Sequence, residues 1–173
     1  MKFSKIFVLA VLSIGLFFST VDTNAQMTKK RYHQSIAANP LGLAFGMLNA
    51  TYEHQVSANN TFTVSGYYWS FLNWTAIGLG GSYRWYILKD GPAPIEGFSF
   101  GPAISFSSWS YDLDGLSAYD GGINVSIGAE AAYKWVFDGF VVEPMINITF
   151  GLLDLEGLDY RPFGAGVNLG YAW

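Results

Sequence analysis

The segment at residues 162–173 alternates with a period of two. Phe163, Ala165, Val167, Leu169, Tyr171 and Trp173 fall on one face, and Gly164, Gly166, Asn168, Gly170 and Ala172 on the other. An extended strand turns successive side chains to opposite sides, so this stretch is predicted to be a strand with one bulky apolar face and one small face. The rhythm recurs upstream. Ile123, Val125, Ile127, Ala129, Ala131, Tyr133, Trp135 and Phe137 oppose Asn124, Ser126, Gly128, Glu130, Ala132 and Lys134, while Phe140, Val142, Ile146, Ile148, Phe150 and Leu152 oppose Glu143, Asn147, Thr149 and Gly151.

Eight such segments are predicted, over 35–45, 47–57, 61–71, 75–88, 96–109, 122–137, 140–152 and 162–173, with turn-forming clusters between them. No linker, second domain or repeat is visible beyond this rhythm. The face that points inward decides what kind of protein results. A soluble barrel filled by the bulky face would show the solvent Gly, Ala, Ser and Asn with hardly a charge, a poorly soluble surface. Only 13% of the residues are charged, and 18% are aromatic. With the bulky face turned to lipid, the small and polar residues fit the narrow interior of a barrel of about eight strands. Lipid offers no partner to an open sheet edge, so closure follows. The expected fold is all-β: a single eight-stranded antiparallel up-and-down transmembrane β-barrel with short periplasmic turns and longer outer loops.

The beginning of the chain carries an address. Lys2 and Lys5 precede an apolar run from Ile6 to Phe18, and Thr23-Asn24-Ala25 follows, the pattern of a cleaved secretory signal. A membrane-spanning helix needs about 20 apolar residues, more than this run holds. Residues 1–25 are therefore expected to be a removed signal peptide, 26–34 a short periplasmic tail, and 35–173 the barrel. Cysteine is absent, which removes disulfides, thiol catalysis, thiolate metal sites and lipid attachment to an N-terminal cysteine. Without residues 1–25 the chain has seven basic and twelve acidic side chains, net −5. No basic stripe is present, so nucleic acid is not an expected partner. Lys29-Lys30-Arg31 reads as a solvated tail.

An even strand number puts both chain ends on one side, the periplasmic one in such barrels. Ser57-Ala58-Asn59-Asn60, Lys89-Asp90-Gly91-Pro92 and Asp138-Gly139 then become periplasmic turns, and Asp-Gly is a strong two-residue hairpin signal. The outer connections fall near Gly46, near Phe71 to Trp74, from about Ser110 to Gly121 and from about Leu153 to Arg161. Aromatic rings gather at both strand ends, as amphipathic rings do at a lipid–water interface. Tyr52, Tyr83, Trp85, Tyr133, Trp135, Phe140, Tyr171 and Trp173 would form the periplasmic girdle. Tyr68, Phe71, Trp74, Phe106, Trp109, Phe150 and Phe163 would form the outer one. Pro40 and Gly42 obscure the phase of the first segment.

Glu53, Arg84, Glu130, Lys134 and Glu143 share the inward phase and hold nearly all the charge inside strands. A midplane Arg or Lys on the lipid face would cost about 2–4 kcal/mol, so their common phase supports the same orientation. They read as a mutually neutralising plug in the lumen, in preference to a proton or solute path. The two long outer loops carry Asp112, Asp114, Asp120, Asp154, Glu156 and Asp159 against Arg161, with Trp109, Tyr111, Tyr119 and Tyr160 among them. That mixture suits contact with a surface protein or glycan, although a merely solvated acidic surface has the same composition. Asp112-Leu113-Asp114-Gly115 lacks the full ligand set of a calcium loop. Gly78-Leu79-Gly80-Gly81 precedes a strand and so is no phosphate loop. His33 and His54 lie far from the long loops, which disfavours a histidine-based hydrolase. No catalytic residue, metal or cofactor is expected.

The export signal, eight alternating segments, short inner turns, longer outer loops and terminal Trp173 together resemble the small eight-stranded outer-membrane barrels of the OmpA and OmpX type. Asn39-Pro40-Leu41-Gly42-Leu43-Ala44-Phe45-Gly46 is similar to the first strand of small barrels in this group. The resemblance covers nearly the whole mature chain. It implies a cell outer-membrane location, outer-membrane lipid as surroundings, and a monomer. It also implies that the last strand, with Tyr171 and Trp173 as its assembly signal, is read by the barrel-assembly machinery. The role expected is structural or adhesion-like, carried by the outer loops; a narrow passive channel and, less favoured, a lipid-acting enzyme are the alternatives.

Overall fold

The computed structural model describes residues 31–89, 95–113, 116–152 and 163–173, giving for 112–113 and 116–122 the backbone alone. The expected signal peptide, most of the 26–34 tail, and Asp114, Asp154, Glu156, Asp159 and Tyr160 lie outside the described residues. The described chain forms eight strands: β1 (Gln34–Ala38), β2 (Met47–Gln55), β3 (Asn60–Phe71), β4 (Trp74–Leu88), β5 (Gly97–Leu113), β6 (Leu116–Phe137), β7 (Phe140–Gly151) and β8 (Phe163–Ala172). Each pairs antiparallel with its sequence neighbour, and β1 pairs with β8, so the sheet closes on itself. The fold is an up-and-down β-barrel of eight strands.

Parity along each strand sets the two surfaces. Ile77, Leu79, Ile104, Ile127 and Ile148 are all exposed on the outside. On the opposite phase Glu53, Thr61, Arg84, Ser99, Asn124, Ser126, Lys134, Glu143 and Asn168 are buried. This inverts the arrangement of a soluble domain, in which charges are rarely buried and large apolar side chains seldom stand out in a continuous band.

Local chemistry explains the tight connections. Asp138 has φ 50° and Gly139 φ 96°, the positive pair that a two-residue hairpin turn needs to match the twist of its strands. A Cβ at Gly139 would also fall 2.6 Å from the Tyr171 ring. The β3–β4 hairpin turns through Leu72 and Asn73, with Leu72 at φ 55°.

Three expectations are corrected. The first predicted strand, 35–45, ends at Ala38, and Pro40–Ala44 form a single helical turn, α1. Asn39 caps that turn, its side-chain oxygen accepting from Leu41 N at 3.0 Å and Gly42 N at 3.2 Å. Pro40 opens the turn and Gly46, at φ 75°, closes it. The predicted outer loop from Ser110 to Gly121 is largely strand: β5 and β6 stay paired through Leu113↔Leu116, with register shifts between Ser108 and Trp109 and between Tyr111 and Asp112. Finally, Phe71, Trp74 and Trp109 do not join an outward girdle. Phe71 pairs with Trp74 and Trp109 with Ala76, and all share the lumen phase of Ala76, which is buried and lies between Trp69 and Trp109 on one rung.

Candidate functional site

Glu53 (β2), Arg84 (β4), Glu130 and Lys134 (β6) and Glu143 (β7) come from four strands and meet inside the barrel near the end where β1 begins and β8 ends. Arg84 is the hub. Its Nη1 lies 3.0 Å from Glu53 Oε2 and 3.2 Å from Glu143 Oε2, while its Nε donates to Glu130 Oε1 at 2.5 Å. The Lys134 ammonium bonds Glu53, and stands 2.8 Å from Glu143 Oε2. A guanidinium is suited to this position, because its planar fork presents donors in several fixed directions at once.

A second set of polar groups completes the hydrogen bonding. Thr61 Oγ1 donates to Glu53 Oε1 at 2.6 Å and the Tyr86 hydroxyl donates to the same oxygen at 2.8 Å. Asn168 Nδ2 donates to Glu143 Oε1 at 3.1 Å, Ser82 Oγ donates to Glu130 Oε1, and Lys134 Nζ donates to Ser35 Oγ at 3.1 Å. Burying an ion costs several kcal/mol unless it is paired and its remaining lone pairs are met. Here both conditions hold for every member that is fully enclosed.

Three carboxylates face two cations, so the cluster is left with one excess negative charge. Glu130 is the most open member, its side chain 12% exposed against 2% for Arg84, Glu53, Lys134 and Glu143. Beyond the cluster, toward the start of β1 and the end of β8, Tyr32, Tyr86, Ile95, Val141 and Ala172 form an apolar floor against which Val136 packs. Burial, reinforced by the Asp138 carboxylate, raises the Tyr32 phenol above its ordinary pKa. Ions and apolar floor together occupy the lumen at this end.

Residues 32–34 are therefore fastened to the barrel. Backbone bonds join His33 N and Gln34 N to Trp173 O, Trp173 N to Gln34 O, and Gln55 N to His33 O. The His33 ring also bonds the Gln55 side chain. His54 sits on the outward phase beside Tyr52, Phe62 and, across Tyr52, Trp173. Tyr171 and Trp173 both face outward and are exposed; the edge of β8 near them is occupied by β1 from Ser35↔Ala172 to Ala38↔Leu169.

Of the residues expected at the outer surface, Trp109 and Tyr111 turn to the lumen side instead. The Trp69 and Trp109 ring centroids are 5.5 Å apart, and those of Trp74 and Tyr111 are 4.7 Å apart. Asp112, Tyr119 and Asp120 lie on the paired ends of β5 and β6. Sequence reasoning passed over Ser35, Thr61, Ser82, Tyr86 and Asn168 as partners of the ions, and Tyr67 and Trp69 as lumen aromatics. All share the inward parity of the five charges, which was the available signal.

A closed, up-and-down barrel of eight antiparallel strands with its charges inside and its bulky apolar residues outside is the class this chain defines. Among solved structures it is similar to the crystal structure of the N-terminal beta-barrel domain of Pseudomonas aeruginosa OprF, with a TM-score of 0.54, 11% identity, and coverage of 83% of this chain and 98% of that one. No family model matches the sequence, and no curated protein does.

Proposed function

We propose that this chain is an outer-membrane β-barrel protein, closed to the passage of solutes, whose role is structural or adhesion-like and is exercised at the rim remote from its termini. The observation that carries this reading is the separation of phases: exposed Ile77, Leu79, Ile123 and Phe163 outside, and buried Arg84, Lys134, Glu53 and Glu143 inside. Water would penalise the first group and lipid the second, so the arrangement suits a barrel surrounded by acyl chains. The N-terminal signal pattern, the resemblance to small outer-membrane barrels and the OprF-like fold support the same location.

The ion network favours a closed lumen over the passive channel. Its members bond one another across the barrel, and the apolar floor backs them. In this reading the protein is a non-catalytic monomer, its last strand with Tyr171 and Trp173 is recognised by the assembly machinery, and the acidic, aromatic segments 109–120 and 154–160 meet a surface protein or glycan.

The experiment is twofold. Protein folded into a planar bilayer is expected to carry no steady current; a current that changes with Glu130→Gln or Lys134→Met would assign a channel instead. Trimming 111–120 and 154–160 is expected to abolish capture of cell-surface partners while the barrel stays folded. Undiminished capture by the trimmed barrel would refute the surface role.

A further inference from the structure

Above the plug the lumen changes character. The rung Tyr67↔Gly78↔Ser107↔Asn124 crosses β3, β4, β5 and β6, and the next rung toward the far rim sets Trp69, Ala76 and Trp109 side by side. Tyr67 lies flat across Gly78, where an added Cβ would fall 2.2 Å from Tyr67 Cε1. The two indoles meet edge to face, with rings inclined by 63°. Their N–H groups are already engaged, Trp69 donating to Phe45 O at 2.9 Å and Trp109 to Ser107 Oγ at 3.2 Å. What they present to the lumen is apolar ring surface.

Beside these rings stands Asn124. It is 7% exposed, lies on the inward phase, and its Oδ1 has no hydrogen-bond partner among the described residues. A buried amide oxygen without a donor costs about 1–3 kcal/mol, so it is a ready acceptor for a hydroxyl brought by a ligand. The wall below it is Ser105, Gly80, Ser126 and Ser65, small and uncharged.

We infer that this aromatic-lined stretch of the lumen is a binding site for a neutral saccharide ring. Aromatic faces match the apolar C–H faces of a sugar, and Asn124 and the serines match its hydroxyls. An anionic ligand would meet the excess negative charge of the plug, and an ion of either sign would find no charged side chain on these rungs. An acyl chain would leave Asn124 and the serine hydroxyls unmet. The plug lies at the base of this stretch. The inference rests on the membrane reading only for the side from which the sugar arrives.

Purified protein, refolded in a zwitterionic detergent that has no sugar head, is titrated with D-glucose, maltose and N-acetyl-D-glucosamine while tryptophan emission is followed. At least one is expected to give a saturable change with a dissociation constant of about 1 mM. Asn124→Ala is expected to weaken that binding about tenfold, a loss of about 1.4 kcal/mol, and Trp109→Phe to weaken it while keeping the barrel folded. Leu79→Ala, on the outward face, is expected to leave it unchanged. A second arm places a maltoside-headed lipid in phosphatidylcholine vesicles with the protein. Response to the lipid alone assigns a glycolipid headgroup as the source; response to free maltose assigns a soluble or surface glycan. No saturable response from folded protein to any neutral sugar, an unaltered response in Asn124→Ala, or stronger binding of octanoate or glucose 6-phosphate would overturn the inference. Each such failure leaves the silent, membrane-inserted barrel intact, so it is distinguishable from failure of the proposed function.

Discussion

Arg84 of β4 reaches Glu143 of β7 at 3.2 Å although the two strands are not neighbours in the sheet. The bond therefore spans the lumen, and with Glu53 and Glu130 on the same guanidinium it ties β2, β6 and β7 to β4. Backbone ladders join only adjacent strands, so these side chains are cross-braces of the barrel.

Removing the hub should thus cost far more than a surface ion pair. Arg84→Met leaves three carboxylates around Lys134 alone, and deletion of one partner of a buried pair costs about 3–5 kcal/mol. Urea unfolding from lipid vesicles is expected to show a loss of that size. Adding Glu143→Gln to Arg84→Met should recover part of it, because neighbours in one network are not additive. A loss below about 1 kcal/mol would mean that the ions are solvated.

At the β6–β7 turn, Gly139→Val is expected to destabilise the barrel by about 1–3 kcal/mol, since a β-branched residue resists φ 96°. Its Cβ also collides with Tyr171, two residues from the chain end. The same unfolding assay reads this, and slower folding into vesicles should accompany it if closure of β8 is delayed.

Asn39→Ala removes the acceptor for Leu41 N and Gly42 N. The loss expected is about 0.5–2 kcal/mol of local stability. Limited proteolysis should cut within 40–46 in the variant, while the β1–β8 closure at Ser35↔Ala172 persists. Equal resistance in both proteins would remove the cap from the account.

The strands were legible because their two faces differ so strongly in volume: Val167 and Leu169 against Gly166 and Gly170 admit only one period. The inward set Glu53, Arg84, Glu130, Lys134 and Glu143 was legible for the same reason, parity being a purely local property. Which of them touch was not, since the Arg84 contacts depend on stagger between strands that sequence does not encode locally. The turn at Asn39-Pro40 was written in capping residues but read as a strand, since apolar Leu41 and Leu43 also fit an alternation. Position along the strand places Phe71, Trp74 and Trp109 in an outer girdle, whereas phase, which governs, turns them to the lumen. The continued pairing of β5 and β6 past Ser110 was hidden by two register shifts, which break a strict period of two.

The central claim is that the bulky phase faces acyl chains. Because the native chain has no cysteine, single cysteines can be placed at Leu79, Ile104, Ile127 and Ile148 on the outer face, and at Val56 in the turn after β2, then labelled with a bimane fluorophore. In vesicles of lipid brominated along its acyl chains, the four strand positions are expected to be strongly quenched and Val56 weakly. Protein that stays monodisperse without detergent and shows no quenching at Leu79 or Ile127 would contradict the account.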